Sequence, residues 1–247
     1  MKLLNWETKL GIVLVLTTVT IYSVKFFLLK NPGDTVNYVF NSLGFLPINV
    51  LFVTLVINRL LTIRSQREKM KKMNMVIGIF FSETGNELIS LFTKADPRCG
   101  EISSLLEVSG EWNRERFKEA RKMCGEFSYS ADPLHDDMDN LRDFLTGKRD
   151  FMLRLLENPV LLENESFTEL LRAVFHLEEE LGYRDDIHEL PETDLVHLKG
   201  DINRVYERIV LSWIEYMEYL NDHFPYLFSL QMRINPFDSG ACPIVMK

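Results

Sequence analysis

The chain has 247 residues, 46% hydrophobic and 26% charged, with a formal net charge of −8. The charge is unevenly spread. Residues 1–72 carry ten Lys/Arg against three Asp/Glu, and the rest carry 18 against 33, so a segment of +7 precedes a body of −15. A body this acidic is repelled by nucleic-acid backbones, which argues against DNA or RNA as a partner. Three scattered cysteines, Cys99, Cys124 and Cys242, argue against a disulfide framework or a C-x-x-C metal site and read as free thiols.

Two apolar stretches crowd the first sixty residues. The first runs from Leu10 to Leu29 with one charge, Lys25, near its end. About 20 apolar residues cross a hydrocarbon core as a helix, and Lys25 can reach the headgroups with its ammonium. A cleavable signal peptide would have a shorter apolar core and a small-x-small site, and the Lys25–Lys30 segment offers neither. The second stretch runs from Tyr38 to Ile57, giving spans of about 10–29 and 38–58 joined by a Pro-Gly-Asp turn over residues 30–35. Six basic residues follow the second span: Arg59, Arg64, Arg67, Lys69, Lys71 and Lys72, against Glu68 alone. This excess predicts a transmembrane hairpin over residues 1–72 in the cell membrane, multi-pass, with both termini cytoplasmic. The six would form a collar contacting anionic headgroups, at about 1 kcal/mol each.

Residues 73–247 read as an acidic cytoplasmic helical domain, so the predicted class is all-α, a two-helix transmembrane hairpin followed by a helical bundle. Apolar residues at helical spacing from Ile77 to Phe92 extend the second span as one long helix to about Thr93, which Asp96-Pro97 ends. A short apolar piece, 102–108, ends at Ser109-Gly110. Residues 112–127 form an amphipathic helix. Asp132-Pro133 looks like a cap and first-turn proline opening a helix at 134–145, with Gly147 as a kink before 151–156. Ser166-x-x-Glu169 has the spacing of a capping box for a helix to Leu181. Leu190 to Asp194 starts the longest helix of the domain, to His223, with an apolar stripe through Leu195, Leu198, Ile202, Val205, Ile209, Trp213, Tyr216 and Leu220. A last helix covers 226–233.

Several residue sets have spacings that carry chemistry. Asn41 and Asn49, eight apart, share a face of the second span; buried amides there would bond across a helix interface, within the hairpin or between copies. A polar path for a solute is the sharper reading, but no charged residue sits mid-span and the short linker cannot re-enter the membrane as a filter. His176 with Glu180, and His197 with Asp201, are two i,i+4 pairs on neighbouring helices. If those helices packed face to face, imidazoles and carboxylates would converge as candidate transition-metal ligands. The order His-before-Glu departs from the usual bundle motif, Asp185-x-x-His188 falls in a loop, and acid-rich helices carry such pairs by chance. His135, Asp136 and Asp137, with Asp132 and Asp139, lack the Gly and closing Glu of a calcium loop. Nucleophile-elbow, P-loop, dinucleotide and H-E-x-x-H motifs are missing. Cys124 reads as a small core residue.

Two sets of segments resemble a known group. Leu46-Pro47 through Arg59-Leu60-Leu61, continuing as Lys72 to Gly85, form one. Leu190 to Asp201, with Pro225 to Ser229 and Asn235-Pro236-Phe237, form the other. Together they resemble uncharacterised prokaryotic two-span membrane proteins with a helical cytoplasmic domain. That resemblance implies an inner-membrane setting and brings no activity, cofactor or catalytic residue. The leading expectation is a non-enzymatic, membrane-anchored interaction or scaffold module that works through a protein partner or a second copy of itself, without a cofactor. A metal-dependent enzyme built on His176, Glu180, His197 and Asp201, and a small oligomeric channel or transporter subunit, are the alternatives.

Overall fold

The computed structural model describes residues 6–29, 32–238 and 240–245; within its helices the side chains of residues 6–11, 14, 28, 29, 32, 35, 135, 136 and 162 lie outside the description. Helix is the regular structure throughout, with no strand among the described residues. The chain divides into two compact units, Met1–Gln66 and Arg67–Lys247.

The first unit holds α1 (Trp6–Leu29) and most of α2 (Pro32–Phe80), which continues through Pro47. The ammonium of Lys25 lies 4.3 Å from the centroid of the Tyr38 ring. Residues of both helices, among them Tyr22, Phe26, Ser42 and Leu46, line a shared apolar groove of about 720 Å³. The two-span hairpin itself is not what the structure displays. Among the described residues one helix is long and apolar enough to cross a membrane: the helical run Val36–Ala95, whose most apolar 18 residues average a hydropathy of 1.9 with none buried. The apolar part of α1 within the described residues is the shorter Val15–Phe27. The expected turn at 30–35 falls partly outside the described residues.

The second unit is organised around α8 (Glu192–His223), because its apolar stripe is too wide for a single neighbour. It packs against α3 (Asn86–Ala95), α5 (Arg114–Glu126), α7 (Glu165–Gly182) and α9 (Pro225–Arg233). All eight residues of the predicted stripe are buried, Trp213 completely. Between α2 and α3, Phe81–Gly85 widens into a single π turn. That extra residue turns both Phe80 and Phe81 inward, where Phe81 stacks on Tyr216 at 5.3 Å and Phe80 meets Phe167 edge-on at 5.2 Å. Gly85 is required for this cluster: a Cβ there would lie 2.6 Å from the Phe81 ring.

Several boundaries differ from the spacing-based reading. α4 is Cys99–Leu105, earlier than 102–108, because the Asp96 carboxylate accepts from Arg98 N and closes a turn just ahead of it. α5 opens after Asn113, which accepts from Arg116 N and so caps it, not at Trp112. Asp132-Pro133 does not start α6 (His135–Leu156). Asp132 is held instead by its own N–H to Ala95 O and by Lys199 at 2.5 Å. Gly147 is no kink, since α6 continues unbroken with Leu145 and Met152 buried on either side. The cap of α7 is Asn164, two residues before Ser166; it accepts from Phe167 N while Ser166 Oγ donates to it. An amide at N-cap outcompetes a serine two residues into the helix.

Candidate functional site

The loop 183–191 makes α7 and α8 antiparallel neighbours, and one arginine sets their register. Arg184 donates Nε and Nη2 to the two oxygens of Asp194 at 2.6 and 2.7 Å, and Nη1 to Glu180 Oε2 at 2.9 Å. This forked contact holds the Asp194 carboxyl below its usual range, chiefly through the hydrogen bonds, and raises the Arg184 guanidinium in return. It ties the last turn of α7 to the first turn of α8, so residues whose numbers sum to 377 face one another: His176 with Asp201, and Glu180 with His197.

The four predicted ligand residues therefore do meet. Asp201 Oδ2 lies 3.4 Å from His176 Nε2 and 3.4 Å from His197 Nε2. Glu180 spans the other side, with Oε1 at 3.9 Å from His176 Nε2 and Oε2 at 3.7 Å from His197 Nε2. The Asp201 side chain is 2% exposed, whereas the imidazoles are 47% and 52% exposed. Arg204 donates to Asp201 Oδ1 at 2.5 Å. Oδ2 has no hydrogen-bond partner and lies at ion-pair distance from the two ring nitrogens. As placed, no three His, Cys, Asp or Glu groups among the described residues close on a metal ion. What the site presents is one buried, half-satisfied carboxylate beneath two half-exposed imidazoles.

The other candidates separate. Asp139 pairs with Arg142 at 2.8 Å and with His188 at 3.1 Å. The His135 and Asp136 side chains lie outside the described residues. Cys124 is fully buried and its thiol is pushed up to about 11 by that burial, so it is protonated at neutral pH and inert as a nucleophile. Burial likewise raises the hydroxyls of Tyr129 and Tyr206, which keep to the core. Asn41, Asn49 and the basic residues Arg59, Arg64, Arg67, Lys69, Lys71 and Lys72 are exposed along α2, with Lys69 pairing to Glu163 at 2.7 Å. A separate cleft of about 520 Å³ opens between α3 and the C-terminal segment, beside Asn86, Ser90, Cys99 and Asn235. Reading by spacing missed Arg184 and Arg204, although both stand at helical intervals from their carboxylates, Glu180 with Arg184 and Asp201 with Arg204.

Fold and site together define an all-helical protein with an exposed apolar N-terminal pair of helices and a separate acidic helical domain carrying a His/carboxylate cluster. Residues 69–233 match the family model described as the C-terminal helical domain of the uncharacterized protein MJ1433, and residues 2–61 match that of its N-terminal helical domain. The chain is 40% identical over 232 residues to uncharacterized protein MJ1433 of Methanocaldococcus jannaschii, covering 94% of this chain and 93% of the relative. It belongs to this family of two-part helical proteins. No solved structure matches it.

Proposed function

We propose that the chain is a membrane-anchored helical module: α1 and the first half of α2 form a hairpin of spans near 10–29 and 38–58, and the acidic domain lies at the cytoplasmic face and acts through protein contacts. The observation that carries this reading is the surface of α2. Consecutive residues, from Leu43 and Phe45 through Phe52, Leu55 and Ile57, are each 42–68% exposed where apolar. An interface with one protein would use a single stripe; apolar residues on every face suit lipid. The hydroxyls of Thr17 and Thr20 donate to Val13 O and Leu16 O at 2.8 Å, so these polar groups need no outside partner. The exposed basic residues that follow on α2 suit an anionic inner leaflet, which would repel the acidic domain and leave its surface available to other proteins.

The test is fractionation together with topology. After alkaline carbonate washing the protein should remain with membranes, a C-terminal fluorescent fusion should light up inside the cell, and a tag placed after Gly33 should be accessible only from outside. Recovery in the soluble fraction would remove the anchor, and an internal Gly33 tag would reduce the hairpin to one span.

A further inference from the structure

We propose that His176, Glu180, His197 and Asp201 bind one divalent transition metal ion of zinc-like character. The site goes beyond the membrane-anchored reading and stands whether or not that reading holds.

The first argument is spacing in three dimensions. Zinc bonded to nitrogen and carboxylate oxygen at about 2.0–2.2 Å in a tetrahedron leaves its donors about 3.3–3.6 Å apart. The two His–Asp201 separations, both 3.4 Å to the single oxygen Oδ2, fall in that range, and the His–Glu180 separations of 3.9 Å to Oε1 and 3.7 Å to Oε2, different oxygens of that carboxylate, lie outside it. As placed, no three of these groups close on an ion, so closing the cluster takes rotation of the imidazoles and of Glu180. The imidazoles, about half exposed, have room to turn, and Glu180, 26% exposed, turns about its contact with Arg184.

The second argument is independent of spacing. Asp201 Oδ2 is buried and without a hydrogen bond. An unmatched buried carboxylate oxygen costs free energy, and a cation seated between the two rings would satisfy it. In a tetrahedral site each imidazole lone pair points at the metal and not at the neighbouring oxygen. Two ring nitrogens 3.4 Å from Oδ2, with no hydrogen bond to it, are compatible with that arrangement.

The surrounding charges select the metal class. Arg204 and Arg184 each hold one oxygen of the ligand carboxylates, which orients Asp201 and Glu180 and offsets their charge. A site so neutralised has little pull on calcium or magnesium, which also want six or more oxygens. Two imidazole donors favour zinc, cobalt, nickel or copper. A purely electrostatic reading, in which protonated imidazoles pair with Asp201 and Glu180, is the competitor.

The full-length protein in detergent, stripped with a chelator, is titrated with Co²⁺ and then Zn²⁺. The expected result is one Co²⁺ per chain with the visible absorption of a tetrahedral site, displaced by Zn²⁺, and a metal-dependent rise in Tm. His176→Ala and His197→Ala should each weaken binding more than about tenfold, the least that loss of even an outer-shell partner costs. Both positions are half exposed, so the metal-free Tm should hold; His176→Gln and His197→Gln replace any variant that fails to fold. His188→Ala should bind as the parent does. Sub-stoichiometric binding, binding that survives in the double His variant, or equal loss in His188→Ala would overturn the site, as would a pH-dependent Tm that vanishes in the double variant with no metal bound.

Discussion

Adding one methyl group at two glycines should move stability in opposite directions. At Gly147, mid-α6 and exposed, nothing lies within 4 Å of a new Cβ. Gly147→Ala should gain helix propensity and lower unfolded-chain entropy, together about 0.4–1 kcal/mol. Gly85, in the π turn, should gain a similar amount from propensity. Its Cβ, however, would stand 2.6 Å from Phe81 Cδ1 and 3.0 Å from Phe80 Cε1. Both rings are fully buried and cannot swing away. Overpacking of this kind costs about 1–3 kcal/mol, leaving a net loss of about 1–2 kcal/mol for Gly85→Ala. At about 2–4 °C per kcal/mol for a domain of this size, Tm should fall by about 2–8 °C, while Gly147→Ala raises it by about 1–4 °C. Circular dichroism melts of full-length protein in one detergent, at one scan rate, measure both. A Tm rise in Gly85→Ala equal to that of Gly147→Ala would refute the packing of Phe80 and Phe81 around the π turn.

Other substitutions test the core and its polar ties. Trp213→Ala should cost about 3–5 kcal/mol by denaturant unfolding, whereas Tyr226→Ala, 70% exposed, should stay within about 0.5 kcal/mol. Asn203 accepts from Ala131 N at 2.8 Å and donates to Ala131 O at 3.2 Å, so Asn203→Leu should cost about 1–3 kcal/mol and loosen the segment before α6 in hydrogen exchange. The Asp194 carboxyl is lowered by Arg184, so its contribution is present above its ordinary value of 3.8 and lost as pH falls through the lower folded value. Tm should therefore begin to drop as pH falls below about 5 and go on dropping below 3.8, and Asp194→Asn should narrow the gap between pH 7 and acid pH by lowering the pH 7 value.

Helical period and turn residues carried the architecture a long way. The stripe from Leu195 to Leu220, the break at Asp96-Pro97 and the end at His223 are local patterns, and each stands where period and proline placed it. Boundaries failed where a distant group supplied the decisive bond. Asp132 is taken by Ala95 and Lys199, and Gly147 stays helical because its neighbours pack on α7. The π turn at Phe81–Gly85 answers to Tyr216 and Phe167, 135 and 86 residues away from Phe81, so no local signal marks it.

The candidate site divides the same way. The two i,i+4 pairs, His176 with Glu180 and His197 with Asp201, are legible from spacing alone, since four residues return to one helix face. So are the apolar runs and the basic cluster after them, because both are patterns of composition along the chain. That the two pairs face each other depends on the register of α7 against α8, which Arg184 sets through Asp194. That Asp201 sits buried with one oxygen unmatched depends on how closely those helices pack. Register and depth are properties of contacts between segments far apart in the chain, and only the folded structure brings those segments together.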